Sequence, residues 1–475
     1  MTGVETELKF QVPAAARDAV RAVFASAPAL RLRAAYADCA DGRLAAAGFA
    51  LRLRQEGSRW VQTLKGRGDG VLARLEHEVV LPRARGRPAI DIGRHAGTPA
   101  GEALAALLAD GAPLVERYRT DVQRRLRRMR SGGATVEVAF DEGRIVAGGR
   151  RAAVFEVEFE LVAGPVQGLL ALAARWVQRH RLWIDTRTKS ERGHRLAEGD
   201  PPVAPTKSTT IAWRVPPSPA QALAAMLENT LAQLLPNMAE IAAGRGGAEA
   251  LHQLRVAIRR LRTALRLFGA WGADPAAAAG LQQRWREPFV RLGAARDADV
   301  LAALPALPLP ALAAAEDPGR VVREPVFSRL VLDTLALAHG ALPALESSLD
   351  EAAAGVLAKA WRGAAGGAAH FAADTPAARH RTRRRLKQLR YATEFLQPLL
   401  PARSTAKALA AMRSALDALG AYNDVLVGEA RCQALDRGDP QVAYALGWLA
   451  ARHQQTEAEA ARRLAKLAPH KKFWR

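Results

Sequence analysis

A chain of 475 residues is too long for one ordinary hydrophobic core, so two or more domains are expected. Its 69 lysines and arginines outnumber 47 acidic residues, and a net charge of +22 with a pI near 11.0 points to polyanionic partners: nucleic acid, acidic membranes or polyphosphate. Two cysteines in opposite halves, Cys39 and Cys432, argue against a disulfide framework or cysteine metal site and fit a reducing cytoplasm, while the lack of a signal-peptide pattern or a long apolar run argues for a soluble chain with no membrane partner.

The first 195 residues or so alternate with period two, the mark of strands with one apolar and one polar face. In chain order these are "VETELKF" (4–10), "ALRLRQ" (50–55), "WVQTLKGR" (60–67), "ARLEHEVVL" (73–81), "ATVEVAFDEG" (134–143) and "AVFEVEFELV" (153–162). Helices are expected at 13–26, 99–109 and 165–180. Prolines crowd the segment 200–217 and mark a linker, after which alanine, leucine and arginine recur at helical spacing. The expected division is therefore a strand-rich domain over 1–199, a linker over 200–217 and an all-α domain over 218–475.

On each strand the polar face carries charge and little else: Glu5, Glu7 and Lys9; Arg52 and Arg54; Glu76 and Glu78; Glu137 and Asp141; Glu156, Glu158 and Glu160. Taken one strand at a time, such alternation usually means a sheet with one wetted face. Taken together, the faces hold almost no serine, threonine or glutamine, and the signs segregate by strand, as a binding site requires. A barrel with these faces inward would be a wet tunnel, because unpaired charges cannot form a dry core. Glu5, Glu7, Glu156 and Glu158 then suit a hard divalent cation, Mg2+ or Mn2+, with Glu76, Glu78 or Glu160 in support. Lys9, Arg52, Arg54 and Lys65 suit phosphate oxygens, and with Glu5 and Glu7 they form the expected catalytic set.

"ETELKF", read with "LRLR", "LK", "LEHE", "VEVAFDEG" and "FEVEFEL" in that order, resembles the CYTH, or triphosphate tunnel metalloenzyme, superfamily across residues 1 to about 195. The resemblance implies an eight-stranded antiparallel tunnel with flanking helices. It casts the same glutamates as metal ligands and adds Arg124, Arg119 and Lys189 to the triphosphate binders, through "RYRTDVQRR" and "TKSERGHRL". Arg127, Arg128 and Arg130 are read as a solvated edge.

In the second half, "HQLRVAIRRLR" and "HRTRRRLKQLR" repeat one pattern 128 residues apart: His252, Arg255, Arg259 and Arg262 against His380, Arg383, Lys387 and Arg390. On a helix these positions fall within an arc of about 80°, one basic stripe per copy. Clustered cations repel unless an anion neutralises them. "RLGAARDADVL" (291–301) is echoed by "ALGAYNDVLVG" (418–428), with Asn423 where the first copy has Arg296. These segments resemble the CHAD domain over about 218–475, which implies a pair of pseudo-symmetric four-helix bundles flanking a groove that binds inorganic polyphosphate. Tyr391 is the one aromatic beside the stripes, which argues against specific nucleic-acid binding.

The expected whole is a cytoplasmic α+β protein, at polyphosphate granules or free, that hydrolyses inorganic triphosphate with a metal ion and binds polyphosphate through its helices. The alternatives are an adenylate cyclase, another nucleoside or thiamine triphosphatase of the same fold, or a binding protein without turnover.

Overall fold

The computed structural model describes every residue except 1, 69, 83–85, 214–216, 294–315, 342–347, 434–438, 471 and 475. It divides into two units. The first comprises Met1–Thr206, Leu235–Gly246 and Val322–His339; the second comprises Lys207–Leu234, Gly247–Val321 and Gly340–Arg475.

Alternating sequence becomes sheet in the first unit. Its strands are β1 (Thr2–Gln11), β2 (Ala29–Asp38), β3 (Ala50–Glu56), β4 (Arg59–Arg67), β5 (Ala73–Leu81), β6 (Val115–Ser131), β7 (Ala134–Ala147), β8 (Arg150–Ala163) and the two-residue β9 (Trp183–Ile184). The order is β5-β4-β3-β2-β6-β7-β8-β1-β9, with a further β1–β5 pairing. β1 divides its length: Thr2–Thr6 pair with Ala73–His77, and Glu7–Gln11 pair with Glu156–Glu160. The pairings of β1 to β8 thus return to their starting strand, all antiparallel.

Six of these strands fall where the alternation predicts them; β2, β6 and the two-residue β9 do not. β6 carries arginine or other polar groups on both faces, so no period of two stands out, and in β2 the run Ala34–Ala35–Tyr36 blurs it. Both are fixed by their neighbours, Tyr36 opposite Tyr118 with the rings stacked at 4.6 Å.

The apolar faces of the strands are the buried ones. Leu8, Phe10, Leu51, Val138, Phe140, Val157 and Phe159 are all at most 4% exposed. One side is covered by α1 (Arg17–Val23) with Phe24, and by α4 (Val166–His180), whose Trp176 meets Phe159 at 5.5 Å and Phe24 at 5.9 Å. On β3 and β4 the same apolar face is covered by α2 (Arg43–Ala46) and α3 (Pro99–Leu107), where Leu44, Leu51, Leu64 and Leu104 form one cluster. At about 2 kcal/mol per buried large aliphatic or aromatic side chain, this burial holds the charged faces on the opposite side of the sheet.

Helix α5 (Lys189–Ala197) begins in a capping box, with Thr188 accepting from the Glu191 amide and Glu191 accepting from the Thr188 amide. It lies on the tyrosine pair of β2 and β6. Tyr118 is hydrogen-bonded to Ser190 at 2.9 Å, and Leu196 and Ala197 pack on the cluster containing Tyr36, Tyr118 and Val122.

The remaining described elements are helical: α6 (Pro219–Ala242), α7 (Ala248–Phe268), α8 (Pro275–Arg284), α9 (Pro318–Arg323), α10 (Pro325–Ala338), α11 (Leu349–Ala369), α12 (Pro376–Leu396), α13 (Ala402–Gln433) and α14 (Pro440–Ala465). In the second unit α7 packs on α12, α12 on α11 and α13, and α13 on α14. The segment 200–213 has no regular structure, as its prolines require. No described helix is long and apolar enough to cross a membrane.

Candidate active site and basic helical face

Strand register brings the charged residues together. Across β1, β8 and β7, Lys9 stands opposite Glu158, and Glu7 opposite Glu160, which stands opposite Glu137. Arg124 of β6 stands opposite Asp141, and Asp141 opposite Glu156. On the far side Arg52 faces Thr63, Thr63 faces Glu78, and Lys65 faces Glu76.

Two ionic clusters result. In the first, Asp141, Glu156 and Glu158 offer carboxylate oxygens within 4.8 Å of one another. Asp141 and Glu156 are fully buried. The ammonium of Lys189, at the start of α5, touches all three, 2.6 Å from Asp141 and 2.8 Å from Glu158, with Glu156 closer still. Arg124 donates to Asp141 and Glu158, and Arg192 to Glu156 at 3.1 Å, so three cations meet three carboxylates. Burial alone would raise the Asp141 and Glu158 carboxyls, but Lys189 and Arg124 hold Asp141 below the usual range and Glu158 well below it. The same carboxylates hold the Lys189 ammonium above its ordinary value against the opposing effect of burial.

In the second cluster each cation rests on a carboxylate. Arg54 reaches Glu78 at 3.1 Å and also pairs with Glu56; Arg52 lies 3.5 Å from both Glu76 and Glu78. Lys65 contacts Glu76 and lies 3.5 Å from Glu5. Lys9 donates to the Arg187 carbonyl. Burial would raise the Tyr36 phenol, but Arg52, 3.5 Å away, brings it below its ordinary value. Glu160 is shifted the other way: burial, then Glu137 and Glu7, raise its carboxyl.

In the second unit the two basic stripes lie on the packed pair α7 and α12. Phe289 sits under Arg255, Arg259 and Arg262, with ring centroids 4.9, 5.5 and 5.7 Å from their guanidinium carbons. Arg259 reaches the Tyr391 hydroxyl of α12 at 3.5 Å. Burial, then Arg259, Arg383 and Arg390, push the Lys387 amine down to about 5, with Asp424 opposing. Arg260 faces away into the core, donating to Gln233 at 2.9 Å and Asn229 at 2.8 Å.

The CYTH family model matches residues 3–193, and the CHAD family model matches residues 225–433. The chain belongs to both families, CYTH first and CHAD second. A curated protein of Haemophilus influenzae, named an inorganic triphosphatase, is 29% identical over 168 residues; the match takes in 34% of this chain and 44% of that protein's length. Among solved structures, the CHAD domain of the plant Ricinus communis is 30% identical, covering 56% of this chain and 96% of that one with a TM-score of 0.48. A Hippeastrum protein described as a putative adenylyl cyclase with dominant triphosphatase activity is 18% identical, covering 41% of this chain and 96% of that one with a TM-score of 0.28.

Within the CYTH domain, Glu5, Glu7, Lys9, Arg52, Arg54, Lys65, Arg124, Glu156, Glu158 and Lys189 share the inward face or its closing helix. Arg119 does not. It pairs across the ladder with Ala35, between the inward Tyr36 and Ala34, so it lies on the outer face, where it donates to Glu116 with 66% of its side chain exposed. Alternation along β6 requires this, since Arg119 and Arg124 are an odd number of residues apart. Glu76 and Glu78 are engaged by Lys65, Arg52 and Arg54 and stand outside the three-carboxylate group, while Glu5 lies by Lys65. Among the described residues Asp141 joins Glu156 and Glu158 in that group in place of the expected Glu5 and Glu7, although its phase with Glu137 in "VEVAFDEG" put it on the charged face. Arg192, in "TKSERGHRL", had no such signal, because only the docking of α5 turns it toward Glu156.

In the CHAD domain the structure places Arg259 against the Arg383–Lys387–Arg390 stripe, joining the two copies of the repeat. Arg262 donates to the Gln282 carbonyl, His252 is half-buried on α7, and His380 is exposed at the start of α12. Arg296 and most of its motif lie outside the described residues.

Proposed function

We propose that the CYTH domain hydrolyses inorganic triphosphate to diphosphate and phosphate with a divalent metal, and that the CHAD domain binds inorganic polyphosphate. The observation that supports it most is the inward face, where carboxylates gather on β7 and β8 and phosphate-binding cations on β3, β4 and β6. The donor set of Asp141, Glu156 and Glu158 fits a hard cation such as Mg2+, with Mn2+ the alternative. Glu156 Oε1 is buried and, although beside Lys189, receives no aligned hydrogen bond among the described residues, which leaves that oxygen a lone pair to offer a metal ion. A metal held there supplies Lewis-acid polarisation of a phosphoryl oxygen and a more acidic bound water.

The chain's own residues bind and orient the substrate. Arg52, Arg54 and Lys65 exchange Glu76 and Glu78 for phosphate oxygens, a substitution of one anion for another that leaves no cation unpaired. Arg124 of the first cluster and Lys9, which stands opposite Glu158, stabilise charge that grows on the transferring phosphoryl group. Helix α5 keeps Lys189 on the carboxylates and bulk water off them.

Phosphate release from tripolyphosphate, ATP, thiamine triphosphate and pyrophosphate, each with Mg2+ and Mn2+, tests the reading. Cleavage of tripolyphosphate above the other three supports it; cyclic AMP from ATP would replace it with a cyclase, and indifference to all four would leave a binding protein.

Gly193 of α5 has no room for a side chain, since a Cβ there would lie 2.2 Å from Tyr118 Cδ2. Gly193→Val is expected to lift α5, draw Lys189 off its carboxylates and raise the KM for tripolyphosphate about tenfold, near 1.4 kcal/mol. An unchanged KM in the folded variant would separate α5 from substrate binding.

The Lys387 amine, held near 5 in the empty CHAD domain, regains its proton when a polyanion arrives. Because binding raises this pKa, affinity falls as pH rises through the window between about 5 and the bound value. Titration calorimetry of polyphosphate at pH 7 in buffers of different ionisation enthalpy is expected to show uptake of roughly one proton. No uptake would contradict Lys387 as a ligand. The reading further places the protein in the cytoplasm, where polyphosphate granules supply the ligand.

A further inference from the structure

Beside the three-carboxylate group the first unit contains a cavity of about 170 Å3. Three guanidinium groups from separate segments line it: Arg187 after β9, Arg192 on α5 and Arg245 after α6. Asp200 lines it too and pairs with Arg245, as Asp185 pairs with Arg187 and Glu156 with Arg192; Trp183, Leu196, Ala152 and Ala243 form an apolar wall. A void walled by three guanidinium groups disfavours cations and offers a small oxyanion hydrogen-bond donors.

Two further observations point to a ligand. Arg187 donates to both oxygens of Asp185 through Nε and Nη2, but its Nη1 is buried without a partner among the described residues. Leaving a buried donor unmet is unfavourable, and an oxyanion in the cavity would satisfy it. In addition, Gln11 and Arg192 line the cavity and also donate to Glu156 Oε2, at 3.4 and 3.1 Å. The cavity and the carboxylate group therefore share two side chains.

We propose that this cavity is a phosphate site adjoining the tunnel, taking either orthophosphate released by hydrolysis or the terminal phosphate of a bound chain. The inference deepens the triphosphatase reading and rests on it for the origin of the ligand. Arg245 and Ala243 come from the segment matched by the CHAD family, so the site is complete only where that segment meets the CYTH strands within the first unit.

The test is calorimetric titration of the metal-free full chain with orthophosphate, comparing Arg245→Gln, Ala243→Phe and, as a tunnel control, Arg54→Ala. Binding is expected in the wild type and in Arg54→Ala, with affinity at least tenfold weaker in both cavity variants at unchanged melting temperature. Tripolyphosphate kinetics separate the sources: relief of product inhibition at constant KM marks released phosphate, and a raised KM marks the chain terminus. Absence of orthophosphate binding, binding in both cavity variants as tight as in the wild type, or its loss in Arg54→Ala would overturn the proposal. If the cavity variants lose orthophosphate while the wild type cleaves no tripolyphosphate, the cavity stands and the triphosphatase reading alone falls.

Discussion

Glutamine at Glu156 and Glu158 together is expected to lower kcat for tripolyphosphate by about two to three orders of magnitude, the usual effect of removing charges aimed at a transition state. The substitution keeps volume and removes two of the three negative charges that Lys189, Arg124 and Arg192 meet. Divalent cation capture is lost with them, because one remaining carboxylate, Asp141, cannot hold the ion against water. Stability should fall as well. Breaking a buried ion pair by removing one partner costs roughly 3–5 kcal/mol, so melting of the first unit must be followed in parallel to show that the variant is folded when assayed. Activity within tenfold of wild type in a folded variant would move the metal elsewhere, to the Glu7, Glu137 and Glu160 group, where burial and then the neighbouring carboxylates raise the Glu160 carboxyl.

The second large effect belongs to the helices. Neutralising Arg255, Arg259, Arg383 and Lys387 to glutamine is expected to weaken polyphosphate binding by more than a hundredfold and to leave tripolyphosphate cleavage unchanged. In the empty protein burial first, and then the neighbouring cations, depress Lys387 and Arg383, so their charged forms are disfavoured there. Removing them therefore relieves strain, and the variant should melt no lower than the wild type without ligand. A mere solvated face would give small effects on binding, since exposed charges are screened within about 10 Å at 0.1 M salt. Loss of both activities in the folded variant would refute the division of labour between the domains.

Much of this was legible because period two is a strong signal. "VETELKF" and "AVFEVEFELV" state both their strand and their faces, and the apolar set Leu8, Phe10, Val157 and Phe159 could only be buried against something, which proved to be α1 and α4 outside the ring of pairings. What alternation could not tell was which side of the sheet would be helix-covered. That choice is made by Phe24 and Trp176, residues whose role appears only on packing. The arginine-rich β6 hid its register, and with it the opposite directions of Arg119 and Arg124. Asp141 was read as one charge among several because its neighbours Glu156 and Arg124 reach it across strands, not along the chain. Similarly, the repeat in the helices predicted two stripes, but contact between Arg259 and the second stripe follows from α7 packing on α12.

Orthophosphate release from tripolyphosphate by the purified full chain, first with chelator and then with Mg2+ restored, tests the central claim most directly. Cleavage that is absent with chelator and returns with the ion is the expected result; a protein that leaves tripolyphosphate intact under both conditions would contradict it.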